Sequence, residues 1–371
     1  MIPVNTPLLA GNEKKYLAEC IETGWISSEG PFVEKFETSF ASLVDREHAI
    51  AVSNGSAALD AAVVALEIGP GDEVILPSFT IISCAAAIVR AGAVPVVVDS
   101  DPLTWNMTAD TIEAAITPRT KAVMVVHIYG HPCDMDPIMA LASAHGLYVI
   151  EDAAEMHGQT YRGRPCGSFG DISTFSFYPN KHITTGEGGM LATNDAGLAE
   201  RCRGARNLFF NNQQRFVHHE LGWNMRMTNM QAALGLAQIE QIDTFVKRKR
   251  AMGRRYTELL ADIPGLELPL AETDYSQNIY WVYGLVLADN VPLSPADIMA
   301  ELGARDIGTR PFFWPMHEQP VLLKMGLFDG VRCPVAERLA RRGFYVPSGL
   351  ALEDSEIRVV ASALHDILAT P

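Results

Sequence analysis

Three short segments of this chain combine reactive residue types with backbone shapes that expose them. In Thr174–Gly189 (TFSFYPNKHITTGEGG) an apolar run leads past Ser176 to Lys181, just before a Thr/Gly-rich turn. A lysine amine taken out of water loses its preference for the charged form, and the free amine is the species that condenses with a carbonyl. A surface lysine on an ordinary loop would read the same way. In Val149–Glu155 (VIEDAAE) a second apolar run delivers Asp152 to its end. A carboxylate buried there needs a cationic partner, such as a protonated ring nitrogen, although the same letters also read as an acidic helix start. In Ser53–Ala58 (SNGSAA) a turn opens an alanine-rich helix. Its free N–H groups and the Ser56 hydroxyl could face a phosphate, with Gly55 allowing close approach. A plain capped helix accounts for that segment equally well.

The surrounding pattern says what must position these groups. His48–Ser53, Glu73–Leu76, Ala93–Val98, Ala122–Ile128, Leu147–Ile150 and Ile172–Phe177 are short apolar runs rich in β-branched residues, separated by helix-like stretches. Continuous runs of this kind predict a mostly parallel sheet covered on both faces. In such sheets ligands gather at the carboxyl ends of the strands and at helix N-termini, where the three segments fall. Around Asn229–Ile242 the period becomes helical, with Thr228 or Asn229 as N-cap. Phe245–Leu260 carries Lys247, Arg248, Lys249, Arg250, Arg254 and Arg255, which reads as the solvated face of a long helix; anion binding is the other use of such a run. Beyond about Asp262 a strand-like Tyr280–Leu287, helices and short strands suggest a smaller α+β unit. The expected division is residues 1–245, with the N-terminal segment, and 246–371.

Composition narrows the classes. The chain has 371 residues, 48% hydrophobic and 20% charged, with 29 basic against 44 acidic side chains and a net charge of −15. That balance argues against a nucleic-acid partner, whose phosphates call for basic surfaces. No stretch approaches the roughly 18 uninterrupted apolar residues of a membrane helix, and the start lacks a signal-peptide pattern. The six cysteines form no CxxC pair and no metal-ligand spacing, so no metal is expected and the thiols are read as reduced, in a cytoplasmic protein. No GxGxxG follows the first strand, which argues against a dinucleotide-dependent oxidoreductase.

Taken in order, the Gly-Ser turn, the strand-end EDAA and SF-x-x-NK-x-ITTGEGG resemble the fold-type I pyridoxal phosphate (PLP) enzymes. More narrowly they resemble the nucleotide-sugar aminotransferases of the DegT/StrS group. Trp25–Gly30, Gly69–Thr80 (GPGDEVILPSFT), Val126–Gly130 (VHIYG) and Asn224–Gln238 (NMRMTNMQAALGLAQ) extend the likeness along almost the whole chain. The resemblance implies an α/β fold-type I transferase: a large domain with a mostly parallel mixed sheet flanked by helices, plus a smaller α+β C-terminal domain. It implies that Lys181 carries the cofactor and moves the proton, and that Asp152 pairs with the pyridine nitrogen. Gly55, Ser56, Ala57 and Ser176 are implied to hold the phosphate, with Asn224 reaching it from the other subunit of a homodimer. Two positions depart from the family pattern. Ile81 stands where an aromatic residue often stacks on the cofactor, and Glu155 where Gln or His often meets its phenolic oxygen.

The resemblance further implies that L-glutamate converts PLP to pyridoxamine phosphate, which then aminates C4 of a nucleotide-linked 4-keto-6-deoxyhexose. The ITTGEGGM, RMTNMQAALGLAQ and PMH segments favour GDP-4-keto-6-deoxy-D-mannose, the acceptor in GDP-perosamine formation for lipopolysaccharide O-antigen; UDP- and dTDP-linked sugars remain alternatives. Trp314 and His317, in RPFFWPMH, are candidate sugar contacts, with packing at a domain interface as the other reading. A PLP-dependent dehydratase would carry histidine in place of Lys181, and a PLP-fold ligand sensor would need no intact Lys181 and Asp152.

Overall fold

A computed structural model describes residues 1–210, 214 and 216–368. Its larger sheet is built from β1 (His48–Val52), β2 (Glu73–Pro77), β3 (Val94–Val98), β4 (Thr120–Val126) and β5 (Tyr148–Asp152). After a hairpin of β6 (Thr160–Tyr161) and β7 (Arg164–Pro165), β8 (Ile172–Ser176) and β9 (Gly189–Thr193) complete it. The order is β1-β9-β8-β5-β4-β2-β3. Strand β9 runs against the others, pairing antiparallel with β1 and β8. The expected mostly parallel mixed sheet, flanked by helices, is what the chain forms.

Alternation along the strands sends Ile50, Val52, Val74, Leu76, Met124 and Ile150 into one core. Ala49, Ala51, Ile75, Val123, Val125 and Val149 enter a second core on the opposite face. With both faces covered, each strand must be apolar throughout, hence the uninterrupted runs in the sequence. Because β1, β2, β4, β5 and β8 share a direction, their carboxyl ends lie along one edge.

A second sheet, β10 (Leu266–Glu267), β11 (Tyr283–Leu287), β12 (Arg310–Pro311) and β13 (Gly343–Val346), is antiparallel in the order β10-β11-β13-β12. It packs a third core of Tyr283, Leu285, Phe344 and Val346 with Tyr256, Leu260, Val360 and Leu364. The division placed after residue 245 falls inside one helix, Ile242–Leu260. The N-terminal residues, grouped by sequence with the larger unit, bond to the smaller one. Gly308 N–H donates to Ile2 O, and Ser348 N–H donates to Val4 O.

The basic run also differs from its expected role at one position. Lys249 is 2% exposed. It lies on the stripe Ile242, Phe245, Lys249, Met252, Tyr256, Leu260, which is the buried side of the helix. Among the described residues no helix is long and apolar enough to cross a membrane, and all six cysteines are buried and free.

Candidate functional site

The strand ends meet in a cavity of about 620 Å³ lined by residues from both sheets' sides, among them Gly55, Ser56, Asp152, Glu155, Ser176 and Lys181. The turn after β1 becomes the N-terminus of the helix Gly55–Ala65, capped by Asn54, whose side chain accepts the N–H of Ala57 at 2.8 Å. That bond occupies Ala57, so Gly55 and Ser56 are the backbone donors this turn presents. Ser56 Oγ lies 2.8 Å from Ser83 Oγ. The glycine is required by the approach of β8: a Cβ on Gly55 would sit 2.8 Å from Ser176 Cβ and 3.2 Å from its hydroxyl. Gly55→Ala should therefore push Ser176 off the turn and weaken cofactor binding about tenfold or more. Titrating the cofactor into the stripped variant measures this, and an unchanged affinity would refute the role of the turn.

Asp152 ends β5 and is 4% exposed. Ala154 N–H donates to its Oδ1 at 3.1 Å and the Cys84 thiol to its Oδ2 at 3.3 Å. Burial nevertheless pushes its pKa up, against the lowering effect of these donors and of Lys181. Lys181 lies in the loop after β8, its side chain 10% exposed. Burial drives its pKa down, opposed by the charges of Glu155 and Asp152. Its Nζ lies 3.8 Å from Glu155 Oε1 and 3.6 Å from the centre of the Trp281 ring.

Glu155 takes the N–H of Tyr129 on Oε2 at 2.6 Å. Burial lifts its pKa from an ordinary 4.5 to about 8. The folded chain thus favours the protonated acid, so this group destabilises it increasingly as pH rises from about 4.5 to about 8. Glu155→Gln should remove that slope in the cofactor-free chain, melting about 5 °C higher at the alkaline end and equally at the acid end. Parallel melting curves across the pH series would show that the carboxyl is not held in this way.

These groups fit PLP. The cavity wall holds the backbone donors of a helix N-terminus, suited to a phosphate. It also holds a buried carboxylate needing a cation and a lysine amine destabilised as an ion. Thr174 Oγ1, also in the cavity wall, is buried and unpartnered among the described residues. Ile81 lines the cavity without an aromatic ring, while Trp281, Phe313 and Tyr345 bring aromatic surface from the second sheet's side.

The two sugar-contact candidates lie elsewhere. His317 is buried, with Nδ1 2.7 Å from Ser78 Oγ and Nε2 3.2 Å from Glu337 Oε1. Both ring nitrogens are engaged between the two parts of the chain. Trp314 is 46% exposed and donates to Glu318 O at 3.4 Å. Neither lines the cavity; Phe313, from the same segment, does. His317, Glu318 and Glu337 converge in the manner of metal ligands, but Arg332 pairs with Glu337 and Arg341 with Glu318, so the carboxylate charge is already neutralised. Asn224 is exposed, accepts from Arg226 Nε at 2.9 Å and does not line its own chain's cavity.

Sequence reasoning missed Trp281, Tyr345 and Phe313. Their only sequence signal was aromatic type, shared with many core residues.

The sequence profile of the DegT/DnrJ/EryC1/StrS aminotransferase family matches residues 7–365. GDP-perosamine synthase of Caulobacter vibrioides is 43% identical over 367 residues, covering 99% of this chain and 98% of that protein. GDP-perosamine synthase of Escherichia coli O157:H7 is 42% identical over 365 residues, covering 98% of each. Among solved structures, the aminotransferase TlmJ from Streptoalloteichus hindustanus matches with a TM-score of 0.92 at 32% identity, covering 100% of this chain and 99% of that one.

Proposed function

Since this chain belongs to the DegT/DnrJ/EryC1/StrS aminotransferase family, a family of PLP-dependent sugar aminotransferases, we propose that it moves the amino group of L-glutamate to C4 of GDP-4-keto-6-deoxy-D-mannose, yielding GDP-perosamine. The observation that carries the chemistry is a desolvated lysine amine that shares one cavity with a buried aspartate and a helix N-terminus. The choice of sugar is supported by the near-full-length similarity to two GDP-perosamine synthases.

In this reading Gly55, Ser56 and Ser176 hold the phosphate, and Asp152 holds a proton on the ring nitrogen. Bound there, the cofactor supplies an electron sink for the pair left behind when a proton leaves the nitrogen-bearing carbon. Lys181 Nζ would take that proton and deliver it to the carbon on the other side of the same nitrogen. Burial lowers its pKa, which favours the free amine this step needs. Glu155, its pKa lifted to about 8, can donate from its protonated form to an oxygen of the bound ring. Because Asn224 lies off its own cavity, a homodimer would give it a phosphate to meet, in the partner's site. A cytoplasmic location is part of the same proposal, since sugar nucleotides are made there.

The test is to treat the loaded enzyme with L-glutamate, remove the amino acid, and offer GDP-, dTDP- and UDP-linked 4-keto-6-deoxy sugars separately, following products by mass. Amination of the GDP sugar alone is expected. Amination of another sugar nucleotide instead would replace the acceptor. Failure to form 2-oxoglutarate from L-glutamate would overturn the donor.

A further inference from the structure

Trp281 belongs to none of the three reactive segments, yet one side chain touches both the amine and the loop that bears it. The indole face is 3.6 Å from Lys181 Nζ, and Nε1–H donates to Asn180 O at 2.8 Å. The ring is buried and packs against Tyr129 with centroids 5.7 Å apart.

The preceding backbone is held in an unusual shape to bring it there. Tyr280 has φ 52°, a left-handed conformation that a bulky residue adopts only under constraint. The constraints are visible: Asn278 Oδ1 accepts Tyr280 N–H at 2.6 Å, and Ile279 N–H donates to Gly130 O at 3.0 Å. Gly130, at φ 108°, admits the segment; a Cβ there would meet Tyr280 N at 2.6 Å and Trp281 N at 2.7 Å. On the far side the Trp281 carbonyl accepts from the buried Lys249 Nζ at 2.9 Å. That gives the buried lysine of the basic helix a purpose.

We propose that Trp281 is a positioning residue for amino transfer, its indole face holding the protonated amine of Lys181 at the cavity without tying it down. The proposal rests on Lys181 being the reacting amine, as read above. A π face attracts an ammonium over a broad area, whereas a carboxylate at bonding distance would fix it in one geometry. The carboxylate nearest Nζ in this site, Glu155, stands off at 3.8 Å. The other titratable groups around Nζ are Asp152 from β5, Cys84 from the helix Ile82–Arg90, and His157 and His182 from the adjoining loops. Burial keeps both histidines neutral and the thiol protonated, leaving the carboxylates and the indole to decide the state of the amine.

The test labels the full-length chain, freed of cofactor, with a trace of an amine-acylating reagent across a pH series and reads Lys181 modification by peptide mass spectrometry. In Trp281→Leu the midpoint for Lys181 should fall by about one pH unit, with Trp281→Phe recovering at least half of the difference. Fluorinated tryptophan, which weakens the π face without changing its shape, should shift the midpoint in the same sense and keeps the test decisive if the leucine variant does not fold. In turnover, Trp281→Leu should lower kcat about tenfold with little change in KM for either substrate. An unchanged midpoint in the leucine variant, or in the fluorinated protein, overturns the proposal. So does equal behaviour of the phenylalanine and leucine variants, which would transfer the effect to the Nε1–H bond. The labelling does not depend on the amino donor or the sugar. A wrong acceptor would therefore leave its result standing, whereas turnover in Lys181→Ala would remove the premise.

Discussion

Lys181→Ala should lower kcat for amino transfer by about 10⁴-fold or more while leaving the cofactor-free chain at least as stable as the unmodified protein. The two effects have opposite signs for one physical reason. Burial depresses the Lys181 pKa, so below the ordinary lysine pKa the folded chain binds the proton less readily than the unfolded chain does. That difference destabilises the fold at neutral pH and disappears as pH rises past the unfolded value. Alanine removes the buried amine at the wall of an open cavity, where little packing is lost. Lys181→Arg should not rescue turnover, because a guanidinium keeps its proton and can neither attack a carbonyl nor accept a proton from carbon. Steady-state rates with thermal melts over pH decide it: turnover in Lys181→Ala within tenfold of the unmodified enzyme would refute the role assigned to this lysine.

What the sequence disclosed about this site follows from where information is local. The strand runs of the larger sheet were legible because burial on both faces forces every position to be apolar, as in Val74–Leu76 and Val123–Val125. The reactive segments were legible because parallel strands put their carboxyl ends on one edge, so β1, β5 and β8 had to bring Ser56, Asp152 and Lys181 together. Strand β9 was not legible. Gly189–Thr193 begins at a glycine pair and reads as loop, and only its position between β1 and β8 makes it a strand. Lys249 was hidden by its charged neighbours, though its spacing from Phe245 and Met252 placed it on the apolar stripe. The partners of His317 were not legible: its ring bridges Ser78 and Glu337, and the contact with Ser78 spans 239 residues of sequence. Trp281 and Lys181 are likewise joined only by the fold, through a constrained turn at Tyr280 that no local pattern announces.

Asp152→Asn should reduce kcat about 10³-fold and abolish most of the thermal stabilisation that PLP confers, without lowering the melting temperature of the cofactor-free chain. In the absence of a cation the carboxylate is a liability. Burial raises its pKa despite donors from Ala154 and Cys84, so the folded chain prefers it protonated, and its ionisation destabilises the fold as pH rises past the ordinary aspartate value. A protonated pyridine nitrogen would convert that liability into a charge-assisted hydrogen bond. Asparagine keeps the shape but has no charge to hold the proton, so the ring's capacity to accept electrons falls with it. The comparison needs four melting curves, each protein with and without cofactor, and one set of rates. If cofactor stabilises the asparagine variant as much as the unmodified enzyme, Asp152 is not the partner of the ring nitrogen. A variant turning over within threefold of the unmodified enzyme would likewise remove the carboxylate from catalysis. The expected pattern, an equal or higher melting temperature when empty and a smaller gain when loaded, separates a residue kept for its cofactor from one kept for the fold.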